Sequence, residues 1–337
     1  MKPIAVASAL VAALSLLSGC GESTGPQKAG GKAASRPIGI AMMPKLVPIP
    51  YFRACEKGAR EAAKELGGKV QFVYDGPATD SDEKQQQILD TWIARKYDVI
   101  AVAPVNPESI TNRLKKALDR GLHVVTYDAD AASAREFFIN QGTYDDIAKT
   151  LVDIMAEGIG DKGQVVIISG SRTAANQREW MKRMLPHMAE KHPDMKMVED
   201  FYPGEDHAEA VKAAQRALTK YPELKGIFGI TSVSLPASAE AVRQAKAAGH
   251  IFVTGLATPN DMREYVKDGT VKRFALWNAV DLGYLTVYAG YYLAQGKLPK
   301  DGEIEAGRLG KIRVKDGEVL LGPPAVFSRE NIDNFDF

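Results

Sequence analysis

The feature that most constrains this chain is an alternation of short apolar runs and longer amphipathic stretches that occurs twice. From Pro37 to about Ile139, apolar runs of strand length alternate with stretches of helical periodicity, and after Ile139 the same alternation begins again. Apolar runs without polar alternation predict parallel strands buried on both faces, and strands alternating with helices predict right-handed β-α-β units. The sequence therefore predicts an α/β fold of two similar doubly wound parallel-sheet domains.

The two halves match each other unit by unit. Residues 123–128 (HVVTYD) correspond to residues 250–255 (HIFVTG), and residues 71–75 correspond to residues 198–202. This repeat is much longer than the roughly 20–50 residues of a solenoid unit, and is therefore typical of a duplicated domain. A chain of 337 residues is also long enough to form two cores.

The first residues predict an export signal. A positive start at Met1-Lys2 precedes an Ala/Leu-rich stretch over residues 4–17, which is shorter than a membrane span requires. The stretch ends in Leu17-Ser18-Gly19-Cys20, which resembles the bacterial lipoprotein signal. We expect residues 1–19 to be removed, Cys20 to be diacylated, and residues 20–36 to form a flexible tether. The alternative is a plain secretory signal with a chance cysteine.

Charge and motif content argue against several functions. The formal net charge is +1 and the basic residues are scattered among acidic ones, so nucleic acid is not an expected partner. The sequence contains no Gly-x-Ser-x-Gly elbow, P-loop or Cys-x-x-Cys motif, and its five histidines lack the spacing of metal ligands. We predict no catalytic residue, no cofactor and no metal site. Cys55 falls in an apolar helical stripe and is interpreted as a packing residue.

Polar and aromatic residues follow several predicted strands, at the edge where ligands bind in parallel sheets. Aromatic rings stack on the apolar face of a sugar, while carboxylates and amides bind its hydroxyls. The candidate ligand-binding residues are Lys45, Tyr51, Phe52, Asp128, Asn176, Gln177, Thr231, Ser232, Trp277 and Asn278. Each alone has a structural alternative, such as a surface charge for Lys45, core packing for Phe52 and Trp277, or a helix cap for Asn176 and Ser232. Their recurrence at equivalent strand ends favours one shared site.

Residues 37–337 resemble the type I periplasmic substrate-binding proteins of ABC sugar importers. Within that group the chain is most similar to the autoinducer-2-binding and rhamnose-binding proteins. The stretches that carry the resemblance are PKLV at 44–47, YDGP at 74–77, FINQGT at 138–143, ATPN at 257–260, GTVK at 269–272, LW at 276–277, ENID at 330–333 and FDF at 335–337.

The resemblance implies that Lys45, Asp128 and Gln177 form hydrogen bonds with the ligand, and that Tyr51, Phe52 and Trp277 form aromatic walls. Two departures bear on the ligand. Asn176 stands where the autoinducer-2 binders have an Asp, and residues 230–232 (ITS) replace their Pro-Asp-Ala. These changes exchange a carboxylate for an amide and add hydroxyls, which leaves a pentose, a deoxyhexose or a related polyol open.

The resemblance also implies a hinge of three crossovers, near residues 130–135, 277–279 and 302–310. The N-terminal lobe would then comprise residues 37–132 and 279–303, and the C-terminal lobe residues 133–278 and 304–337. Binding would close the two lobes over the ligand.

The sequence thus predicts a lipid-anchored solute-binding protein of the periplasm or cell envelope, which captures a sugar-like ligand and delivers it to an ABC permease. It is expected to be a monomer, to lack enzymatic activity and to contact the membrane only through its lipid anchor. The alternative is an autoinducer-2 binding or sensing protein that passes its signal to a receptor. The export signal and the lack of an N-terminal helix-turn-helix disfavour a repressor core of the same fold.

Overall fold

The computed structural model describes residues 36–79 and 81–337. The predicted signal peptide, Cys20 and residues 20–35 of the predicted tether lie outside the described residues. The strands in the described ranges are β1 (Ile38–Met43), β2 (Val70–Tyr74), β3 (Val99–Val102), β4 (His123–Tyr127), β5 (Phe137–Asn140), β6 (Lys162–Ile168), β7 (Asp194–Phe201), β8 (Leu224–Gly229), β9 (Phe252–Gly255), β10 (Arg273–Leu276), β11 (Gly302–Glu305), β12 (Lys311–Lys315), β13 (Glu318–Leu320) and β14 (Ala325–Ser328). The helices there are α1 (Pro50–Glu65), α2 (Asp82–Arg95), α3 (Pro107–Asp119), α4 (Tyr144–Ile159), α5 (Ala175–Lys191), α6 (His207–Lys220), α7 (Ser234–Gln244), α8 (Pro259–Lys267) and α9 (Ala279–Ala294).

The same strand order occurs in both halves, which confirms the predicted α/β fold. In the first sheet the parallel order is β2-β1-β3-β4-β5, and β13, β12 and β11 extend it beyond β5. In the second sheet the parallel order is β7-β6-β8-β9, and a bridge between Leu256 and Ala275 continues it to β10 and β14. We call the first sheet with α1–α3 and α9 lobe 1, and the second sheet with α4–α8 lobe 2.

Helices cover both faces of the sheet in lobe 1. Leu89 and Trp92 of α2 and Leu114 of α3 are buried on one face, and α1 and α9 pack on the other. The backbones of α1 and α9 approach so closely that a Cβ atom on Gly58 would lie 1.7 Å from the carbonyl oxygen of Val280. Only glycine fits there, because any side chain would collide with main-chain atoms. None of the described helices is both long and apolar enough to span a bilayer.

Cys55 of α1 lies at this same contact. A Cβ atom on Gly283 of α9 would lie 1.8 Å from the Cys55 carbonyl oxygen, and the Cys55 side chain is fully buried. The prediction that Cys55 is a packing residue is confirmed.

Two of the three crossovers lie elsewhere than predicted. The chain enters lobe 2 at residues 141–143, after β5 has paired with β4 in lobe 1, and not at residues 130–135. The crossover at residues 277–278, between β10 and α9, lies where it was predicted. The last crossover runs through residues 321–324, between β13 in the first sheet and β14 in the second, and not through residues 302–310.

The predicted lobe boundaries at residues 133 and 304 therefore disagree with the sheet topology. Strands β5, β12 and β13 belong to the sheet of lobe 1, although residues 133–278 and 304–337 were assigned to the C-terminal lobe. The physical reason is that strands pair through backbone hydrogen bonds, so the side-chain pattern of a short strand does not indicate which sheet it joins. Strands β5, β11 and β14 were not predicted at all.

Candidate functional site

The carboxyl ends of the strands in both sheets meet at a cavity between the lobes. Its empty volume, with the space open to solvent included, is about 430 Å³. All the predicted ligand-binding residues except Asn278 line it, namely Lys45, Tyr51, Phe52, Asp128, Asn176, Gln177, Thr231, Ser232 and Trp277.

Asp128 occupies a special backbone conformation at the end of β4. Its φ of 62° lies in the left-handed region, which aspartate tolerates better than most residues. The turn is tight, because the N–H of Ala129 donates to the carbonyl oxygen of Tyr127 at 2.6 Å. The side-chain amide of Gln141 donates to the Asp128 carbonyl oxygen at 3.0 Å. Strain of this kind is concentrated at binding sites, and here it accompanies a carboxylate that is only 4% exposed.

Three donors converge on this carboxylate. The ammonium of Lys45 lies 2.9 Å from Asp128 Oδ2, and the hydroxyl of Tyr51 donates to Oδ1 at 3.0 Å. The amide of Asn176 donates to Oδ2 at 3.4 Å, while Asn176 Oδ1 accepts from Lys45 Nζ at 3.1 Å. Because Asn176 belongs to lobe 2 and the other three residues to lobe 1, these contacts join the lobes across the cavity.

An aromatic cluster forms the wall next to the carboxylate. Burial, together with the neighbouring Asp128 carboxylate, raises the pKa of the Tyr51 hydroxyl well above its usual value, so Tyr51 stays a donor. The indole N–H of Trp277 donates to the Tyr51 hydroxyl at 2.9 Å, and the two rings meet edge to face at 5.9 Å. The Phe52 ring packs against Tyr51 at 5.0 Å. Since Trp277 lies on a crossover, this chain of contacts connects that crossover with the carboxylate.

Gln177, in the first turn of α5, orders the loop that follows β6. Its side-chain oxygen accepts from the Ser169 hydroxyl at 2.8 Å, from the Gly170 N–H at 2.9 Å and from the Ser171 N–H at 3.2 Å. Its amide donates to Glu205 at 3.2 Å. Gln177 therefore orients Glu205 and the loop as well as lining the cavity.

Two other predicted residues accept backbone N–H groups at the starts of helices. Thr231 Oγ1 accepts the N–H of Ser234 at 3.0 Å in the turn that opens α7, although Thr231 and Ser232 both line the cavity. Asn278 Oδ1 accepts the N–H groups of Val280 at 3.0 Å and of the next residue at 3.2 Å, which caps α9. The structure thus places Asn278 outside the cavity lining, because the start of α9 uses its side chain.

The sequence analysis missed several residues of the cavity. Glu205 lies four residues after the end of β7, so the strand-end rule could have found it. Trp180 lies one helical turn after Gln177, on the same face of α5. Its indole N–H is buried and has no hydrogen-bond partner among the described residues. The apolar lining residues are Leu46, Ile49, Ile230, Leu256 and Leu276.

A duplicated doubly wound fold with a polar and aromatic cavity between its lobes defines the class of two-lobed binding proteins. Residues 40–298 match the family described as the periplasmic binding protein domain, and this chain belongs to that family. The D-ribose/D-allose-binding protein of Pseudomonas aeruginosa is 27% identical over 278 residues, which cover 79% of this chain and 86% of that protein.

Two solved structures show the same fold. A solute-binding protein of an ABC transporter from Clostridium phytofermentas, with bound L-rhamnose, is 25% identical with a TM-score of 0.83, over 88% of this chain and 98% of that one. LsrB from Clostridium saccharobutylicum, in complex with AI-2, is 24% identical with a TM-score of 0.84, over 89% and 100% of the two chains. These similarities confirm the predicted resemblance to type I periplasmic substrate-binding proteins.

Proposed function

We propose that this protein captures a small, uncharged sugar or sugar-like molecule in the cavity between its lobes and delivers it to an ABC permease. The observation that carries the proposal is the buried network of Lys45, Asp128 and Asn176, which spans the two lobes beside the aromatic wall. The P. aeruginosa relative is named for D-ribose and D-allose, and the C. phytofermentas structure holds L-rhamnose, which supports the choice of a sugar.

The chemistry of the lining suits a ligand with several hydroxyls. Lys45 and the Trp180 indole supply donors, Asp128 and Glu205 supply acceptors, and each hydroxyl of a sugar both donates and accepts. The charged groups of the lining are one cation and two carboxylates, which disfavours an anionic ligand such as a sugar phosphate. Trp277 and the other aromatic rings offer apolar faces on which the C–H side of a sugar ring stacks.

Closure of the lobes would couple binding to delivery. A ligand that bridges Asp128 in lobe 1 and Asn176 in lobe 2 favours the closed arrangement, since only that arrangement offers both partners at once. Trp277 lies at a crossover and in the cavity, so its ring would sense both occupancy and hinge angle. The closed form would then present a defined surface to the permease.

Titration calorimetry tests the ligand class. The purified chain is titrated with pentoses, hexoses, deoxyhexoses including L-rhamnose, sugar phosphates and autoinducer-2, and tryptophan fluorescence follows the same additions. We expect saturable binding of at least one neutral sugar and none of its phosphate, with the ligand recovered unchanged after incubation. Binding of autoinducer-2 alone would favour the signalling alternative, chemical turnover would show an enzyme, and a folded chain that binds none of the panel would contradict the proposal.

The anchoring part of the proposal rests on Cys20. We propose that a diacylated Cys20 holds the monomeric protein at the cell envelope through residues 20–36, which act as a tether. Mass spectrometry of the N-terminal peptide should show a thioether-linked diacylglyceryl group on Cys20. The Cys20→Ser variant should move from the membrane fraction to the soluble extracytoplasmic fraction. A membrane-bound Cys20→Ser variant would contradict lipid anchoring.

A further inference from the structure

A cluster of metal-ligating side chains lies in lobe 2, away from the ligand cavity. Asp153 of α4, His187 near the end of α5 and His192 directly after α5 bring one carboxylate and two imidazoles together. His187 Nε2 lies 2.7 Å from Asp153 Oδ1, and His192 Nε2 lies 3.4 Å from the same oxygen. The three ligand atoms all lie within 4.8 Å of one another.

The two separations from Asp153 are close to those that a zinc ion requires. With bonds of about 2.0–2.1 Å to histidine nitrogen and carboxylate oxygen, neighbouring ligand atoms of a tetrahedral site lie about 3.3–3.4 Å apart. The separation of 3.4 Å between His192 and Asp153 already fits. The separation of 2.7 Å between His187 and Asp153 needs to open by about 0.6 Å. Rotation of the Asp153 side chain, which is 51% exposed, provides that change.

The two imidazoles are held in place before any metal binds. Their side chains are only 15% and 16% exposed for His187 and His192, and the rings contact each other at 6.0 Å. His192 Nδ1 lies 2.7 Å from Asp161 Oδ1, so a proton on Nδ1 is shared with that carboxylate. The lone pair of His192 Nε2 then faces Asp153, which is the carboxylate–histidine arrangement that supports zinc ligands. The carboxyl end of α5, where His192 lies, also favours a cation.

We propose that Asp153, His187 and His192 bind one zinc ion, with Asp161 positioning His192 and water in the fourth position. Two histidines and a carboxylate are a ligand set that zinc prefers, and the open fourth position follows from the exposure of Asp153. The ion joins α4 to the end of α5 and thereby stabilises lobe 2. The distance from Gln177 in the cavity to His192 is about 22 Å along the helix, so the zinc site is independent of the ligand site.

A zinc ion at this place would depart from the sequence-based prediction that the chain has no metal site. His187 and His192 are five residues apart in the chain, which is not the spacing of two ligands on one helical face. They meet because α5 ends at Lys191 and the backbone of His192 leaves the helix. Asp153 comes from a different helix, so the constellation exists only in the folded chain.

Zinc titration of the full chain, purified without a histidine tag, tests the proposal. Calorimetry should show one zinc ion per chain, and zinc should raise the thermal unfolding midpoint. His192→Gln and Asp153→Asn should each abolish both effects, and Asp161→Asn should weaken zinc binding about 10- to 100-fold. Circular dichroism of the zinc-free variants shows whether each remains folded.

His207→Gln is the matched control. His207 Nε2 lies 2.7 Å from Glu240 Oε2 in another histidine–carboxylate pair, but that pair has no third ligand in the described ranges. This variant should bind zinc as the parent does. Sugar affinity should be the same with and without zinc. The proposal is overturned if the parent binds no zinc, or if His192→Gln and Asp153→Asn both bind it with parental affinity. If His192→Gln fails to fold, the exposed Asp153→Asn variant and an anomalous zinc peak in a crystal of the parent decide the question.

Discussion

Asp128→Asn is the substitution that most directly probes the ligand cavity. The carboxylate accepts from Lys45 and Asn176 on one oxygen and from Tyr51 on the other. An asparagine keeps the shape but replaces one acceptor by an N–H₂ donor, which then faces either Lys45 or Tyr51. The ammonium of Lys45, 6% exposed, is thereby left without a carboxylate in the closed protein.

The size of the effect follows from the burial of this pair. Removing one partner of a buried ion pair costs about 3–5 kcal/mol, because the remaining charge is left uncompensated. If the ligand-free protein opens as proposed, water reaches Lys45 there, and this free energy falls mainly on the closed, ligand-bound state. The affinity for the sugar should therefore fall about 150- to 5,000-fold. The thermal midpoint of the ligand-free protein should stay nearly unchanged.

Titration calorimetry with the best sugar of the panel measures the loss. Asp130→Asn is the control, because Asp130 lies in the same loop but binds Thr126 at 2.6 Å and Arg135 at 2.9 Å and does not line the cavity. This control should bind the sugar as the parent does, whatever its stability. A parental affinity of Asp128→Asn, or an equal loss in both variants, would refute the assignment of the carboxylate to the ligand site.

Other predictions concern stability and reactivity. Gly58→Ala should lower the free energy of unfolding, measured in urea, by about 3 kcal/mol or more, because the added methyl group collides with the α9 backbone. Gly68→Ala is the control: its methyl group meets nothing within 4 Å, so the free energy of unfolding should change by less than about 0.5 kcal/mol. Hydrogen bonding to Glu136 raises the pKa of His123 in the folded protein. The pair therefore stabilises the fold fully below the unfolded histidine pKa of about 6.5, and this stabilisation is lost as the pH rises through the pKa of His123 in the folded protein. The stability difference between the parent and His123→Gln should therefore shrink from about pH 6 to about pH 8.5, and a growing difference would contradict this sign. Burial raises the pKa of the Cys55 thiol, so its alkylation should be much slower in the native chain than in urea. Site-resolved mass spectrometry measures both rates, and equal rates would contradict the burial of Cys55.

Much of the fold could be predicted because each strand and helix leaves a local pattern. The runs around β1, β3 and β4 are apolar without alternation, and all three proved to be buried parallel strands. The strand-end rule found most of the cavity for a related reason, since parallel strands bring their carboxyl ends to one edge. It failed for Asn278, because a cap and a ligand residue have the same side-chain chemistry and occur at the same place in the chain.

The sequence by itself determined the duplicated α/β architecture and the set of strand ends that approach one another, because periodicity and composition are properties of neighbouring residues. Only the tertiary structure decided which sheet β5 and β13 join, since strands pair through main-chain groups that nearly all residues share. It alone also decided that Asn176 reaches the Lys45–Asp128 pair and that Asp153 reaches two histidines at the end of another helix. Such contacts join residues far apart in the chain, and their distances depend on how whole helices and sheets pack.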